Sequence, residues 1–241
     1  YGASPMPEAL LREAIAKLPG VRFLQSYGMT ELSPVATVLT PEYHVFEGPK
    51  AGKTASAGQP AYNADVVVLG PDDTPVPPGQ IGEICVRGPM VMQGYWQQPE
   101  LTAEALRGGY MHTGDAGYFD EDGFLFIVDR LKDMIVSGGE NVYSAEVEDA
   151  LYSHPAVQEC AVIGIPSEQW GEAVHAVVVR KAGQSVSEAD LVAHCKARIA
   201  GFKVPRSISF SEDELPKSGP GKILKTDLRA PFWAGRDRAV N

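Results

Sequence analysis

One stretch, residues 129–141, divides the chain into two parts with different residue patterns. It reads D-R-L-K-D-M-I-V-S-G-G-E-N. Before it, short strand-like runs are separated by turns rich in glycine and proline, and after it strand-like and helix-like patterns alternate. Glycine permits backbone angles and close ligand approach that other residues do not, so the pair Gly138-Gly139 indicates a hinge between two domains. An ordinary turn between two strands has a similar composition.

The part before this stretch is predicted to contain one helix and several short strands. Residues 7–18 form an amphipathic helical pattern that begins with a proline. Residues 21–25 are predicted to form a strand that leads into a tight polar loop, 26–31, and such loops bind ligands in open α/β sheets. Further strands, typical of a small barrel or sandwich, are predicted at residues 64–69, 81–87 and 124–128.

The part after the stretch is predicted to be a small α/β domain. Ser144 is predicted to cap a helix that ends at residue 152, and Ser187 to cap a second helix. The apolar face of the second helix contains Leu191 and Cys195, which makes Cys195 a packing residue rather than a nucleophile. Strands are predicted at residues 160–165, 174–179 and 207–210.

Charge and composition exclude several classes of function. The net charge of −10 argues against binding to nucleic acids or anionic membranes, which require basic surfaces. No apolar run approaches the roughly 18 residues that a membrane span needs. The three cysteines are far apart in sequence and lack metal-site spacing, so we expect a reduced, cytoplasmic setting. We expect no signal peptide, and because the chain starts inside a motif we expect it to be part of a longer protein.

Several motifs follow one another in a fixed order. Besides the 129–141 stretch, they are Y-G-A-S-P-M-P from Tyr1, Q-S-Y-G-M-T-E from Gln25, G-E-I-C-V-R-G from Gly82, H-T-G-D from His112 and P-K-S-G-P-G-K from Pro216. This series resembles the adenylate-forming superfamily of acyl-CoA synthetases, peptide-synthetase adenylation domains and luciferases. The resemblance implies an α/β fold. Residues 1–129 would be the C-terminal portion of a large nucleotide-binding domain with a β-barrel subdomain, and residues 130–241 a small mobile C-terminal domain.

The resemblance also implies a reaction. It is nearest to acid–CoA ligases, which use ATP and Mg²⁺ to convert a carboxylic acid to an acyl-AMP and then use coenzyme A to form an acyl-CoA. A fatty acid is the first choice of substrate, which would place the protein in fatty acid metabolism. Three alternatives stay open: an aryl-CoA ligase, an adenylation domain that loads a carrier protein, and a non-catalytic nucleotide-binding fragment.

The loop after the first strand carries part of the implied nucleotide site. By resemblance, Tyr27 stacks on adenine beside Gly28, Thr30 contacts phosphate and Glu31 binds Mg²⁺, a hard cation that prefers carboxylate oxygens. Without the surrounding motif, Tyr27 would be a packed strand-end tyrosine and Glu31 a solvated carboxylate. The segment implied to lie along adenine and the acyl pocket consists of Gly2, Ala3 and Ser4.

Asp115 and Arg130 complete this implied site. A carboxylate can accept hydrogen bonds from both vicinal hydroxyls of a ribose, and the resemblance gives that role to Asp115. Gly114 is predicted to let the chain turn sharply beside it. By resemblance, Arg130 reaches the ribose and phosphate region.

The second part carries the residues implied in domain motion and catalysis. The resemblance makes Lys132 the hinge, and it places Gly138, Gly139 and Glu140 along the pantetheine path of coenzyme A after the small domain rotates. By the same resemblance, Lys222 would bridge the acyl carboxylate and the nucleotide during adenylation, and the sequence around it resembles that of a lysine acetylated in many bacterial members. The other interpretation of Lys222 is a surface-loop lysine.

One alternative motif is rejected, and one departure from the family limits these implications. A Walker-type phosphate loop is rejected, because Pro216 and Ile223 stand where its glycine and its Ser or Thr would be. The family's Ser/Thr/Gly-rich phosphate loop, which usually ends P-K-G, and most of the acyl pocket are not in this chain. We therefore expect the chain by itself to be inactive or nearly so.

Overall fold

A computed structural model describes residues 1–2, 6–219 and 221–235. The chain divides into two units, Tyr1–Leu131 and Lys132–Asn241. The division lies between Leu131 and Lys132, whereas the sequence analysis placed it between residues 129 and 130. Each unit is described by itself.

The first unit begins with helix α1 (Glu8–Lys17) and a small antiparallel sheet. The sheet contains, in this order, β1 (Gln25–Tyr27), β2 (Thr37–Leu39) and β3 (Gln59–Pro60). The strand predicted at residues 21–25 is therefore displaced towards the C-terminus. Val21 and Leu24 are 54% and 43% exposed, and pairing with β2 starts only at Gln25.

The rest of the first unit is built on a four-stranded antiparallel sheet. Its strands lie in sequence order: β4 (Asp65–Leu69), β5 (Gly82–Arg87), β6 (Met111–Phe119) and β7 (Leu125–Arg130). Helix α2 (Pro99–Ala105) precedes β6. The sequence analysis did not predict strand β6. Ile84, Val86 and Leu125 are completely buried in the core of this sheet. The strand region predicted as a small barrel or sandwich thus appears as this sheet.

The second unit is an α/β structure. Its helices are α3 (Ser144–Tyr152), α4 (Glu188–Lys196) and α5 (Lys225–Trp233). Its strands are β8 (Ile135–Ser137), β9 (Glu140–Val142), β10 (Val157–Ser167), β11 (Gly171–Arg180) and β12 (Ser207–Ser211). The order β10-β11-β8-β9 defines the sheet, and β12 pairs with β11 in parallel. The predicted α/β class is confirmed.

Of the two predicted helix caps, one is confirmed and one is wrong. The Ser187 hydroxyl accepts a hydrogen bond from the Asp190 amide, and the Asp190 carboxylate accepts one from the Ser187 amide, which is a complete capping box. Helix α3, however, has Tyr143 at its N-cap position, so Ser144 is already helical. The buried Ser144 hydroxyl accepts a hydrogen bond of 2.5 Å from Lys225 Nζ. Leu191 and Cys195 are buried, as predicted.

Within the residues that the structure describes, no helix combines the length and the apolar character needed to cross a membrane.

Candidate functional site

Three side chains from separate elements of the first unit lie together. Tyr27, at the end of β1, donates a hydrogen bond of 2.7 Å from its hydroxyl to Asp115 Oδ2 on β6. Arg130, at the end of β7, pairs with Asp115 across the sheet, and its Nε lies 3.6 Å from Asp115 Oδ1. The arrangement joins an aromatic ring, a carboxylate and a guanidinium, which together offer a stacking surface and both signs of charge.

The environment of Tyr27 keeps its phenol protonated. Burial raises the pKa of Tyr27 well above its ordinary value, and the negative charge of Asp115 raises it further. The Tyr27 hydroxyl is therefore a permanent donor to Asp115 at neutral pH.

Asp115 is presented by a β-bulge. Glu83 pairs with Ala116 and Cys85 pairs with His112, so residues 113–115 of β6 stand opposite a single residue of β5. Gly114 lies in this bulge with φ at +71°, a backbone angle that favours glycine. The predicted sharp turn at Gly114 is thus a bulge within a continuous strand, because the chain resumes pairing with β5 at Ala116.

A polar cluster beside the bulge was not found from sequence. Glu83 Oε1 accepts a hydrogen bond of 3.0 Å from the Gly114 amide, and Glu83 Oε2 lies 2.8 Å from His112 Nδ1 and 3.1 Å from Arg107 Nη2. Cys85 Sγ lies 3.3 Å from the same nitrogen of His112. Alternation places Glu83 and Cys85 on one face of β5, but the pairing of Cys85 with His112 is visible only in the structure.

This cluster also contains atoms that metals bind. The ligand atoms of Glu83, Cys85 and His112 lie within 4.8 Å of one another. These are residue types that bind metals, and the sequence analysis missed the group because it considered only the spacing between cysteines. Burial, followed by the charge of Glu83, raises the pKa of the Cys85 thiol to about 12. The thiol is therefore protonated at neutral pH, and Arg107 already neutralises Glu83.

Thr30 and Glu31 lie in a 3₁₀ turn that follows β1, Thr30–Leu32. Thr30 is exposed, whereas Glu31 is half-buried. Glu31 Oε1 accepts a hydrogen bond of 3.0 Å from the Tyr95 hydroxyl, and the Glu31 carbonyl accepts one from the Met92 amide. These bonds connect the turn to the segment before α2 and orient the Glu31 carboxylate.

The glycines of the motifs lie next to Tyr27. Gly2 forms an isolated parallel bridge with Ser26, and Gly28 directly follows β1. Ala3 and Ser4, also predicted to line the site, lie outside the described residues.

In the second unit, Gly138-Gly139 forms the turn of the β8–β9 hairpin, in which Ser137 pairs with Glu140. A Cβ atom on Gly138 would stand 2.8 Å from Cε3 of Trp170, and the Gly138 amide donates to the Trp170 carbonyl. The glycine pair therefore forms a turn between two strands, which was the alternative to a hinge in the sequence analysis. A role of Glu140 and this turn in binding coenzyme A stays a prediction.

Lys132 opens the second unit within a 3₁₀ turn, Leu131–Asp133. The Lys132 carbonyl accepts a hydrogen bond of 3.2 Å from Arg229 Nη1, and Asp133 forms an ion pair of 3.1 Å with Arg229 Nη2. Helix α5 therefore holds the backbone on the C-terminal side of the predicted hinge. Rotation about Lys132 stays a prediction.

Lys222 is exposed on a short hairpin. Lys217 and Ile223 form its closing bridge, and the Ser218 amide donates to the Lys222 carbonyl. Ion pairs flank the hairpin on both sides, Lys217 with Glu159 at 2.5 Å and Lys225 with Glu148 at 2.8 Å. The glycine-rich loop around Lys222 is thus closed by backbone hydrogen bonds and anchored to β10 and α3.

Comparison with known proteins agrees with the motifs. The model of the AMP-binding enzyme family matches residues 1–96, and the model of the AMP-binding enzyme C-terminal domain matches residues 146–222. The chain belongs to this family of adenylate-forming enzymes.

The chain is similar to enzymes that act on different acids. It is 49% identical to a feruloyl-CoA synthase of Amycolatopsis sp over 231 residues, 96% of this chain and 45% of that relative. It is 45% identical to the fatty acid–[acyl-carrier-protein] ligase ScoC of Streptomyces coeruleorubidus over 241 residues, 100% of this chain and 46% of that relative.

A solved structure matches as well. The o-succinylbenzoate CoA synthetase of Bacillus subtilis, in complex with the acyl-adenylate intermediate OSB-AMP, superimposes with a TM-score of 0.85 at 38% identity. The match covers 94% of this chain and 44% of that structure. The chain thus spans less than half the length of the curated relatives it matches.

Proposed function

We propose that this chain supplies part of the active site of an AMP-forming acid–CoA ligase. In the first step a carboxylate oxygen attacks the α-phosphorus of ATP and pyrophosphate leaves, giving an acyl-AMP. In the second step the sulfur of coenzyme A attacks the acyl carbon, a thioester forms, and AMP leaves. The observation that carries the proposal is the contact of Tyr27, Asp115 and Arg130, because an aromatic ring, a ribose anchor and a cation are the parts that a nucleotide needs.

Each residue of the first unit has a proposed role in holding ATP and AMP. The ring of Tyr27 stacks on adenine, with the chain at Gly2 and Gly28 beside it. Asp115 accepts hydrogen bonds from the ribose hydroxyls, and Arg130 offsets negative charge near the ribose and phosphate. Under this proposal, the unit is the C-terminal portion of a large nucleotide-binding domain.

Thr30 and Glu31 are proposed to act on the phosphate and its metal. Thr30 is exposed and offers a hydroxyl to phosphate oxygens. Glu31 is a hard oxygen ligand held by Tyr95, so its chemistry fits Mg²⁺, which usually keeps several waters and needs few carboxylates. The ion would neutralise charge on the phosphates when bound.

The second unit is proposed to be a mobile domain that presents different residues in the two steps. Lys222 supplies its ammonium to the acyl carboxylate and the nucleotide during adenylation. Rotation about Lys132 then brings Gly138, Gly139 and Glu140 to the path of the coenzyme A pantetheine. Acetylation of Lys222 would remove its charge and block the first step.

The substrate is proposed to be a carboxylic acid with a large apolar body. A fatty acid is supported by the relative that loads fatty acids, and an aryl acid by the feruloyl-CoA synthase. The carrier-protein ligase favours a second candidate function, in which the acceptor thiol belongs to an acyl-carrier protein. We place the protein in the cytoplasm, because Cys85, Cys160 and Cys195 are all free thiols.

The test uses an enzyme in which this chain is joined to the upstream part that its relatives have. ATP-dependent pyrophosphate release is measured with palmitate, ferulate and o-succinylbenzoate, followed by thiol consumption with coenzyme A or holo-acyl-carrier protein. Pyrophosphate release with at least one acid and thioester formation with coenzyme A support the proposal. Nucleotide binding without pyrophosphate release with any acid would favour the non-catalytic alternative.

A further inference from the structure

Asp115 stands on a backbone that pairs with β7 at Arg130 but is not paired with β5 on its other side. The bulge removes residues 113–115 from regular pairing with β5, so their amides need other acceptors. Side chains supply them: the Gly114 amide donates to Glu83 Oε1 at 3.0 Å, and the Asp115 amide donates to Thr113 Oγ1 at 3.1 Å. On the side that faces β5, two side-chain acceptors therefore take the place of strand pairing in holding the proposed ribose anchor.

Glu83 is held firmly enough to fix this backbone. Its side chain is 16% exposed, and its second oxygen contacts His112 Nδ1 at 2.8 Å and Arg107 Nη2 at 3.1 Å. His112 is buried on β6, two residues before Gly114, and Arg107 follows α2. The carboxylate is thus fixed by three groups, and one of them is the bulge itself.

The alternatives for Glu83 are less well supported. A surface ion pair with Arg107 would not require a buried histidine and a backbone amide on the same carboxylate. A metal at Glu83, Cys85 and His112 would have to compete with the Arg107 cation for Glu83 Oε2 and displace the proton of a thiol whose pKa is raised.

We infer that Glu83 is a positioning residue, which holds the bulge so that the Asp115 carboxylate is oriented for ribose hydroxyls before the nucleotide binds. The inference rests on the proposed function of Asp115. A group oriented in advance loses less conformational entropy on binding, so loss of Glu83 should weaken the ribose contacts selectively.

The experiment compares two ligands on this chain. AMP and 2′,3′-dideoxy-AMP differ only in the hydroxyls that Asp115 is proposed to bind, and NMR titration gives the Kd of each. A hydrogen bond to a charged group contributes about 1.5–3 kcal/mol, which corresponds to about 10- to 150-fold tighter binding of AMP by the unmodified chain. The ratio of the two Kd values is the readout.

Glu83→Ala, which removes the acceptor of the Gly114 amide, is expected to lower this ratio by about threefold or more, while the Kd for dideoxy-AMP stays within about twofold. Adding Glu83→Ala to Asp115→Asn should lower the ratio no further than Asp115→Asn alone, because both act through the same contact. Asp73→Asn is the matched control: Asp73 also contacts Arg107, at 3.4 Å, but it makes no bond to the bulge. It should keep the ratio of the unmodified chain.

Two outcomes would overturn the inference while leaving the proposed function in place. One is an unchanged ratio in a folded Glu83→Ala variant, and the other is equal weakening of both ligands, which a purely structural role produces. If the unmodified chain prefers neither ligand, the proposed ribose anchor fails, and the inference fails with it. If Glu83→Ala does not fold, hydrogen exchange of the Gly114 amide in the unmodified chain decides. Protection supports the inference, and exchange as fast as in an open loop contradicts it.

Discussion

At the scale of single residues, the hydrogen bond between Tyr27 and Asp115 joins the small sheet of the first unit to its four-stranded sheet. The donor is a protonated phenol and the acceptor a carboxylate, which makes the bond stronger than one between neutral groups. Its removal leaves Asp115 with one donor fewer in a half-buried position.

Tyr27→Phe is expected to lower the free energy of unfolding by about 1.5–3 kcal/mol, the usual contribution of a hydrogen bond to a charged group. Urea unfolding followed by circular dichroism measures this. Tyr62→Phe is the control, because Tyr62 is fully exposed, and it should change the free energy of unfolding by less than about 0.5 kcal/mol. Equal effects of the two variants would show that the bond to Asp115 contributes nothing to stability.

At the scale of elements, the bulge in β6 and the hairpin around Lys222 bring motif residues into defined positions. Gly114 has φ at +71°, and a Cβ atom there would meet nothing within 4 Å. The cost of a side chain at this position is therefore a cost of backbone conformation alone.

Gly114→Ala is expected to destabilise the first unit by about 1 kcal/mol and to weaken AMP binding as well, since the bulge carries Asp115. Gly123→Ala is the matched control. Gly123 has φ at +76° with equally open space and lies in the turn before β7. It should lose similar stability and bind AMP normally. Normal AMP binding by Gly114→Ala would show that the conformation of the bulge does not affect nucleotide binding.

Motifs and periodicity predicted some features of these elements and missed others for physical reasons. The capping box at Ser187 is local, so four consecutive residues predict it. Strand β6 is not visible locally, because its glycines and Asp115 are poor strand formers and Glu83 supports its bulge from far away in the sequence. Ser144 is not the cap because helix α3 begins one residue earlier than predicted, with Tyr143 at the N-cap position, and the contact of its hydroxyl with Lys225 lies too far away in the sequence to predict.

The pairing of β11 with β12 in the second unit is expected to depend on pH. Burial lowers the pKa of His175 on β11, whose Nδ1 and Nε2 lie 2.7 Å and 3.1 Å from the hydroxyls of Ser207 and Ser209 on β12. Below about pH 6.5 the unfolded chain therefore binds a proton more readily than the folded one. The free energy of unfolding of this unit should fall as the pH drops, by at most about 1.4 kcal/mol per pH unit from this group.

Urea unfolding at neutral and acidic pH measures how the free energy of unfolding changes with pH. His175→Gln should flatten it, and an unchanged slope would contradict this origin.

For the whole molecule, the proposed mechanism requires the second unit to present different residues to the active site in the two steps. Lys132→Pro tests whether the second unit rotates about this residue, because proline fixes a backbone angle that rotation has to change. In an enzyme that contains this chain together with the upstream part, we expect acyl-AMP formation to continue and thioester formation to slow. Lys132→Ala, which keeps backbone freedom, should slow neither step. Equal slowing of both steps by Lys132→Pro would argue against a hinge at this residue.

The most direct test of the proposed reaction measures the two half-reactions separately in that enzyme carrying Lys222→Ala. Acyl-AMP formation from ATP should fall by about 10²–10³, the usual effect of removing one electrostatic contact made in a transition state. Thioester formation from supplied acyl-AMP and coenzyme A should stay near the unmodified rate. Lys196→Ala, at an exposed position on α4, is the control and should leave both rates unchanged. Undiminished acyl-AMP formation in Lys222→Ala, or an equal loss in both half-reactions, would contradict the account.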